Sequence, residues 1–201
     1  MKIIGITGPS GAGKTTLSTI LKNNYNASII DADAVAKKLS TDITSEYYKE
    51  MVKLFGKSTL QENKQLNRKK IASIIYSDRE KKRALNKLTF KYVVDDINKQ
   101  IGELLKSSQY EYLGIDVPLL YEAKMEKICD YVIAVVAEDK EKVSRICRRD
   151  NISEELAKKR LEIQNNNEFF VSKADFVIYN DGSLEKLEKS LEEIIDKIWE
   201  K

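Results

Sequence analysis

Five short apolar runs along the chain have the character of buried β-strands. They are Lys2–Ile6, Ala27–Ile30, Tyr112–Ile115, Tyr131–Val136 and Phe176–Ile178. Their apolar residues are nearly continuous instead of alternating with polar ones, as expected of strands that are covered on both faces. Segments with helical spacing of apolar residues separate the runs. This alternation predicts an α/β fold with a five-stranded parallel sheet.

The segment between the second and third predicted strands is too long for one crossover helix. Residues 34–108 have almost entirely helical patterning, and roughly seventy residues is far more than a crossover needs. We therefore predict a helical insertion that holds the second substrate. Most of its basic residues are expected to form a solvated surface, with a few available to an anionic substrate. The basic residues of the insertion include Arg68, Lys69, Lys70, Arg79, Lys81, Lys82 and Arg83.

Arginines are concentrated after the fourth predicted strand. One predicted helix carries three of them, and a second helix, capped by Ser153, is expected to carry a fourth together with a glutamine four residues later. Guanidinium groups suit phosphate oxygens, so residues 139–173 are predicted to form a lid. Surface ion pairs with neighbouring glutamates are the alternative. The residues concerned are Arg145, Arg148, Arg149, Arg160 and Gln164.

The first predicted strand leads directly into a glycine-rich loop and then a helix. Residues 8–15 read GPSGAGKT, which fits the pattern GxxxxGK[ST]. Such a loop curls so that backbone N–H groups converge on an anion, and the helix N-terminus adds partial positive charge. In this motif Lys14 reaches the outer phosphates and the Thr15 hydroxyl binds the accompanying Mg²⁺. The pattern predicts a nucleoside triphosphate site; a glycine-rich turn with a surface lysine is the alternative.

Acidic residues follow two of the predicted strands. Asp31 and Asp33 follow the second strand, where an extended backbone would point both side chains the same way, and Asp116 follows the third. Carboxylates at such strand ends can orient Mg²⁺ or accept a proton from an attacking hydroxyl. The alternative for Asp33 is a cap on the predicted helix Ala34–Leu39. Asp116 is predicted to hold Mg²⁺. In the final helix, a single stripe predicts core packing: Leu184, Leu187, Leu191, Ile194, Ile195 and Ile198.

Composition excludes several classes of protein. The 35 basic and 32 acidic residues nearly balance, which gives no argument for nucleic acid or membrane binding, and the absence of histidine excludes imidazole chemistry. Cys129 and Cys147 lack metal-site spacing and are expected to be buried thiols in a reducing compartment. We expect a cytoplasmic monomer or weak homo-oligomer with small-molecule substrates. The predicted single domain, 1–201, has a core of 1–33, 109–138 and 174–201.

Over essentially its whole length, the chain resembles the dephospho-CoA kinases. Beside the phosphate loop, the resemblance is carried by Asp31-Ala32-Asp33, Leu66-Asn67-Arg68, DVPLLYE at 116–122, Arg145 with Arg149-Asp150, Ala157 with Arg160 and Gln164, and ADFVIYN at 174–180. It implies a P-loop NTPase-type three-layer fold with an acceptor-binding insertion and a lid. It also implies ATP- and Mg²⁺-dependent phosphorylation of the 3′-hydroxyl of dephospho-CoA, which gives CoA and ADP in the last step of coenzyme A biosynthesis.

The resemblance also implies roles for individual residues. Asp33 resembles the carboxylate that activates the 3′-hydroxyl, with Lys14 and Arg145 as the other catalytic groups, and Asn180 occupies the position that contacts adenine. The acceptor would contact Asp33, Leu119, Tyr121 and Glu122, and the metal would contact Thr15 and Asp116. ATP would contact Gly11, Ala12, Gly13, Lys14, Thr15, Thr16, Arg149 and Asn180.

Two departures from the family pattern keep other functions open. Pro9 and Ser10 are more familiar from uridine kinases, and Phe90 and Lys91 stand where the family usually has His-Pro. Pro9 and Ser10 alone favour a nucleoside or nucleotide kinase as an alternative, whereas Phe90 and Lys91 bear on acceptor binding. A nucleotide-dependent ATPase or switch protein is another, although no NKxD guanine-reading string occurs in the sequence.

Overall fold

The computed structural model describes residues 1–200, and all five predicted strands are present to within one residue at each end. Two short 3₁₀ turns, Lys57–Thr59 and Met125–Ile128, accompany the longer elements. The strands are β1 (Lys2–Thr7), β2 (Ala27–Asp31), β3 (Tyr112–Asp116), β4 (Tyr131–Val136) and β5 (Phe176–Tyr179). The helices are α1 (Lys14–Asn24), α2 (Ala32–Thr41), α3 (Glu46–Phe55), α4 (Arg68–Ser77), α5 (Arg79–Ser107), α6 (Asp139–Asp150), α7 (Glu154–Glu162), α8 (Asn167–Val171) and α9 (Leu184–Trp199).

The chain forms two compact units. The first, which we call the sheet unit, consists of Met1–Ile30 and the chain from Leu104 onward. The second, the helical unit, is Asp31–Glu103. The predicted phosphate loop and lid belong to the sheet unit, and Asp31 and Asp33 belong to the helical unit.

The sheet unit has three layers. Its strands lie in the order β2-β3-β1-β4-β5, and the pairs of β1 with β3, β1 with β4 and β4 with β5 are parallel. In β4, Ile133 and Val135 pack into the cluster formed with α1 and α9, whereas Ala134 and Val136 pack with Phe170 of α8. A strand buried on both faces in this way explains the continuous apolar runs in the sequence.

The predicted apolar stripe of α9 is confirmed except at its first position. Leu187, Leu191 and the three isoleucines that follow them are buried in the main core. Leu184 is 54% exposed, so the prediction that it packs in the core is wrong. It is the first residue of α9, and its side chain therefore precedes the turns that pack against the sheet.

The helical unit has its own apolar core. Six buried residues from α3, α4 and the loop between them form this core: Tyr47, Tyr48, Met51, Phe55, Leu66 and Ile71. The prediction of nearly unbroken helix is wrong for residues 56–67, which contain a 3₁₀ turn and an antiparallel bridge between Leu60 and Leu66. Gly56, at φ +82°, ends α3, and the Tyr48 hydroxyl donates to the carbonyl of Lys64.

The two cysteines are unpaired and only partly buried, so the prediction of fully buried thiols is too strong. Burial nevertheless raises the pKa of the Cys129 thiol to about 12, and nearby Asp130 and Glu126 add to this effect. The thiol lies against β1, where a Cβ at Gly5 would come within 2.9 Å of Cys129 Sγ. Among residues 1–200, no helix combines the length and apolar character that a membrane span requires.

Candidate functional site

The backbone of the phosphate loop requires glycine where the loop meets its neighbours. Gly8, Gly11 and Gly13 all have positive φ. A Cβ on Gly8 would lie 2.0 Å from the carbonyl oxygen of Val135, and one on Gly13 would lie 2.1 Å from Nδ2 of Asn180. Gly13, at φ +106°, immediately precedes α1, whose first turn contains no acidic residue. The loop thus leads into a helix N-terminus whose partial positive charge favours binding of an anion.

We expect Gly13→Ala to lower the free energy of unfolding by about 2 kcal/mol or more, because alanine is disfavoured at positive φ and its Cβ would displace Asn180. Gly102→Ala is the matched control, since a Cβ there meets no atom within 4 Å. Because Gly102 lies inside α5, that change should raise stability by roughly 0.5–1 kcal/mol. Urea unfolding followed by circular dichroism measures both effects. Equal stability of the two variants would contradict the close approach at Gly13.

Lys14 is directed toward the phosphate loop. Its Nζ donates to the carbonyl oxygens of Gly8 at 2.8 Å and Pro9 at 3.0 Å. Thr15 and Thr16 follow it in the first turn of α1 with exposed side chains. The ammonium group and the two hydroxyls therefore accompany the backbone N–H groups of the helix N-terminus, as the motif predicts.

Asp116 ends β3 and is 7% exposed. Its Oδ2 lies 3.2 Å from the Oγ of Ser18, a contact that holds the carboxylate beside α1. Ser18 was missed by the sequence analysis, although its place four residues after Lys14 puts it on the same face of the helix. A carboxylate and a threonine hydroxyl are the oxygen donors that Mg²⁺ prefers.

Asn180 and Arg145 donate hydrogen bonds to backbone carbonyls of the phosphate loop. Asn180, which is 9% exposed, donates from Nδ2 to the carbonyl of Ala12 at 2.7 Å. Arg145 donates to the carbonyl of Asn180 at 2.8 Å and to those of Gly11 and Ala12 at 3.4 Å each. The short bond from Arg145 to Asn180 is charge-assisted and therefore of the stronger kind, and Asn180 in turn holds the loop through Ala12.

Two arginines of the predicted lid, Arg149 and Arg160, form a cluster near Ser10. Arg149 binds both carboxylate oxygens of Asp150, at 2.8 and 3.0 Å, and the same carboxylate accepts from Arg160. Hydrogen bonds from Arg149, with its positive charge, lower the pKa of Asp150. Arg149 and Arg160, two of the four predicted lid arginines, are thus brought together by Asp150, which the sequence analysis named only as part of a family motif.

The lid segment also contacts Ser10 directly. The Ser10 N–H donates to Oε1 of Gln164 at 2.9 Å, and Arg149 Nη2 lies 3.4 Å from Ser10 Oγ. The prediction that one helix carries both Arg160 and Gln164 is wrong, because α7 ends at Glu162. Ser153 caps that helix as predicted by accepting from the N–H of Leu156.

The predicted acceptor contacts after β3 have different surroundings. Leu119 is 42% exposed, and Glu122 accepts a hydrogen bond from Asn165 at 2.7 Å. The Tyr121 ring packs edge-on against Phe169, and its hydroxyl is buried without a hydrogen-bond partner among the described residues. Burial, reinforced by nearby acidic groups, raises the pKa of Tyr121 to about 12. These contacts give Tyr121 a packing role.

In the helical unit, Asp31 and Asp33 have different local roles. The Asp31 carboxylate caps α2 by accepting from the N–H groups of Asp33 at 2.8 Å and Ala34 at 3.0 Å. The alternative that Asp33 is the cap is therefore wrong. The prediction that an extended backbone points both side chains the same way is also wrong in its premise, because β2 ends at Asp31 and α2 begins at Ala32. Asp33 lies in the first turn of α2.

Both aspartates line a cavity of about 740 Å³ in the helical unit. Much of the remaining wall is apolar, with Tyr47 and Met51 from α3 among its residues. Lys37 and Arg68 add positive charge, and Arg68 Nη2 donates to the Ser40 hydroxyl at 2.9 Å. The cavity therefore offers carboxylates, cations and an apolar surface to one ligand.

A second cavity of about 600 Å³ in the same unit shares several wall residues with the first, including Lys37, Ser40 and Arg68. Lys69 also lines it. Lys37 and Arg68 line both cavities and therefore lie where the two cavities adjoin. The sequence analysis named Arg68 and Lys69 in a basic surface, and Arg68 also in a family motif, but it missed Lys37, because only the folded chain shows that Lys37 and Arg68 line the same cavities.

Comparison with known proteins assigns these features to one family. Residues 2–186 match the family model described as dephospho-CoA kinase. A dephospho-CoA kinase of Carboxydothermus hydrogenoformans is 36% identical, with 98% of this chain and 94% of the relative covered. One from Fusobacterium nucleatum is 34% identical, with 98% of each covered. The solved dephospho-CoA kinase from Campylobacter jejuni has a TM-score of 0.69 at 26% identity, with 98% of each chain covered.

Proposed function

The chain belongs to the dephospho-CoA kinase family, and from this membership we propose how its residues carry out the reaction. The enzyme catalyses ATP-dependent phosphorylation of dephospho-CoA in coenzyme A biosynthesis. The observation that best supports the division of roles is that the sheet unit has a glycine-rich loop at a helix N-terminus and the helical unit has a cavity of its own with two carboxylates.

The nucleotide is bound by the sheet unit. In this proposal the N–H groups of residues 11–16 and the Lys14 ammonium surround the phosphates of ATP, with Arg149 contacting them from the lid. Lys14 exchanges its carbonyl partners in the loop for phosphate oxygens. The bonds of Arg145 to three carbonyls support a role in shaping the loop. Lys14, Arg149 and Arg160 are the groups that stabilise the negative charge of the transferring phosphoryl group in this proposal.

The donor set near the loop fits Mg²⁺. Thr15 contributes a hydroxyl at the start of α1, and the buried Asp116 contributes a carboxylate held by Ser18. Hard oxygen donors of this type, few in number and completed by phosphate oxygens and water, are typical of Mg²⁺ in kinases. When bound, the ion neutralises charge on the β- and γ-phosphates. Asp116 would orient its hydration shell.

Asp33 is the proposed general base for the acceptor. Its carboxylate takes the proton of the 3′-hydroxyl while that oxygen bonds to the γ-phosphorus of ATP and the bond from this phosphorus to the bridging oxygen of ADP breaks. Two features support the choice: Asp33 lines the cavity, and Asp31, the other carboxylate there, is engaged in capping α2. Without histidine in the chain, a carboxylate is the natural proton acceptor.

Lys37 and Arg68 are the proposed partners of the diphosphate of dephospho-CoA. They lie where the two cavities adjoin, and the guanidinium fork suits phosphate oxygens. The apolar wall that includes Met51 and Tyr47 suits the pantetheine arm. Contacts of the acceptor with Leu119, Tyr121 and Glu122 remain predictions from the resemblance.

One assay tests this function against its alternatives. Purified protein with Mg²⁺ and ATP is given dephospho-CoA, uridine or no acceptor, and ADP release and CoA formation are both measured. We expect ADP release only with dephospho-CoA, in equal amounts with CoA. Phosphorylation of uridine would favour the nucleoside kinase suggested by Pro9 and Ser10. Acceptor-independent ADP release, unchanged by dephospho-CoA, would favour an ATPase.

A cytoplasmic location and a monomeric or weakly associating chain complete the proposal.

A further inference from the structure

Ser10 is contacted by a part of the lid segment that lies beyond α7. Arg145 approaches the phosphate loop from α6, through the carbonyls of Gly11 and Ala12. The contact to Ser10 comes from Gln164, whose Oε1 accepts the Ser10 N–H at 2.9 Å. Two separate elements of the segment are therefore bonded to neighbouring residues of the same loop.

Gln164 is tied closely to the end of α7. Its own N–H donates to the carbonyl of Leu161 at 3.1 Å, and the helix ends at Glu162. The same helix carries Arg160, which shares the Asp150 carboxylate with Arg149. A bond from Gln164 to the loop therefore restrains the helix that carries Arg160.

The arginine cluster and the Gln164 bond meet at one residue. Arg149 Nη2 lies 3.4 Å from the Ser10 hydroxyl, while Gln164 holds the Ser10 N–H. Asp150 orients the two guanidinium groups relative to each other. Helix α6 is bonded to the loop through Arg145, and Gln164 supplies the corresponding bond at the end of α7, the helix that carries Arg160. Guanidinium groups stabilise a transferring phosphoryl group only from within hydrogen-bonding distance, and a misplacement of about 1 Å can cost a hundredfold in rate.

We propose that Gln164 is a positioning residue for phosphoryl transfer. By accepting the Ser10 N–H, it holds the end of α7 at the phosphate loop and keeps Arg149 and Arg160 beside the phosphates of ATP. This role rests on the proposed ATP site at residues 8–15. The role also accounts for Ser10, because the Ser10 hydroxyl offers Arg149 a hydrogen-bond partner that an aliphatic side chain would not.

The test compares Gln164→Ala, Gln164→Glu and Lys159→Ala. Lys159 is an exposed residue of α7 paired with Glu155 and serves as the matched control. We expect Gln164→Ala to lower kcat for CoA formation by about tenfold while the KM for dephospho-CoA stays within about twofold, since a hydrogen bond of this kind contributes up to roughly 1.5 kcal/mol. Lys159→Ala should match the wild type in both constants.

Amide hydrogen exchange at Ser10 reports on the contact itself. In the nucleotide-free protein, exchange should be faster in Gln164→Ala, and Gln164→Glu should restore protection because its carboxylate retains an acceptor oxygen. A double variant, Gln164→Ala with Arg149→Lys, tests whether Gln164 acts through the arginines. Its loss in kcat should be smaller than the product of the two single losses.

The outcomes separate this role from the function itself. Absence of CoA formation by the wild type would overturn the proposed function. If the wild type forms CoA, then equal kcat values for Gln164→Ala and Lys159→Ala would overturn the positioning role. Unchanged Ser10 exchange in Gln164→Ala, or losses that multiply fully in the double variant, would overturn it as well.

Discussion

Replacing Asp33 with asparagine is expected to lower kcat for CoA formation by about a hundredfold or more, the usual contribution of a positioned general base. The amide introduced by this substitution cannot accept the proton of the 3′-hydroxyl. Its size is nearly that of the carboxylate, so the cavity should keep its shape. The affinity for ATP should change little, because the proposed contacts to ATP come from residues 11–16 and the lid and none comes from Asp33. Single-turnover kinetics and equilibrium ATP binding measure the two quantities separately.

Asp31→Asn is the comparison variant for this experiment. Asparagine caps helices about as well as aspartate, so α2 should keep its first turn. We expect a loss in kcat of less than about tenfold, since Asp31 is not the proposed base. If Asp31→Asn were the slower enzyme and Asp33→Asn retained turnover, the assignment of the base would have to be reversed.

Replacing Lys14 with methionine is expected to lower kcat/KM by about a hundred- to a thousandfold, similar to the loss of one donor that stabilises transition-state charge. Methionine keeps the length and apolar part of the side chain but removes the ammonium group. The bonds of Nζ to the carbonyls of Gly8 and Pro9 are lost too. Steady-state kinetics with dephospho-CoA measures the effect on catalysis, and thermal unfolding measures the structural cost.

Lys22→Met provides the control within the same helix. Lys22 is exposed in the last turn of α1, far along the helix from the phosphate loop. It should leave kcat/KM within about twofold of the wild type, since surface substitutions of this kind have small effects. A Lys14→Met enzyme as active as Lys22→Met would rule out a direct role of the ammonium group.

The phosphate loop could be predicted from the sequence because its chemistry is local. Gly8, Gly13, Lys14 and Thr15 lie within eight consecutive residues, and the strand before them and the helix after them are equally clear. The five strands were also predictable, since burial on both faces leaves continuous apolar runs. Here the local pattern and the tertiary environment favour the same structure.

The two aspartates after β2 show where such reasoning stops. Whether Asp31 or Asp33 caps the helix depends on where the strand ends, and the sequence is compatible with either position. The structure ends β2 at Asp31 and begins α2 at Ala32, two residues before the predicted start, so Asp31 is the cap and Asp33 is left as the candidate base. Helix boundaries at this precision depend on competing caps and side-chain bonds, which periodicity does not resolve.

The partners of the arginines were also beyond sequence reasoning. Residues 154 positions apart, Ser10 and Gln164, form one hydrogen bond. Lys37 and Arg68, which are 31 positions apart, line the same cavity only in the folded chain. The arginines themselves were visible from their spacing, but which carboxylate, amide or hydroxyl each one meets is set by tertiary packing.

The bracing of the phosphate loop by Asn180 and Arg145 has a thermodynamic consequence. Both residues bond to the carbonyl of Ala12, and because these bonds use protein groups alone, we expect them to hold the loop in shape without a nucleotide. The conformational entropy of ordering this backbone is lost when the chain folds and not when ATP binds. A larger part of the interaction energy with ATP then appears as affinity. The same rigidity leaves the loop little freedom to adapt to a nucleotide of another shape.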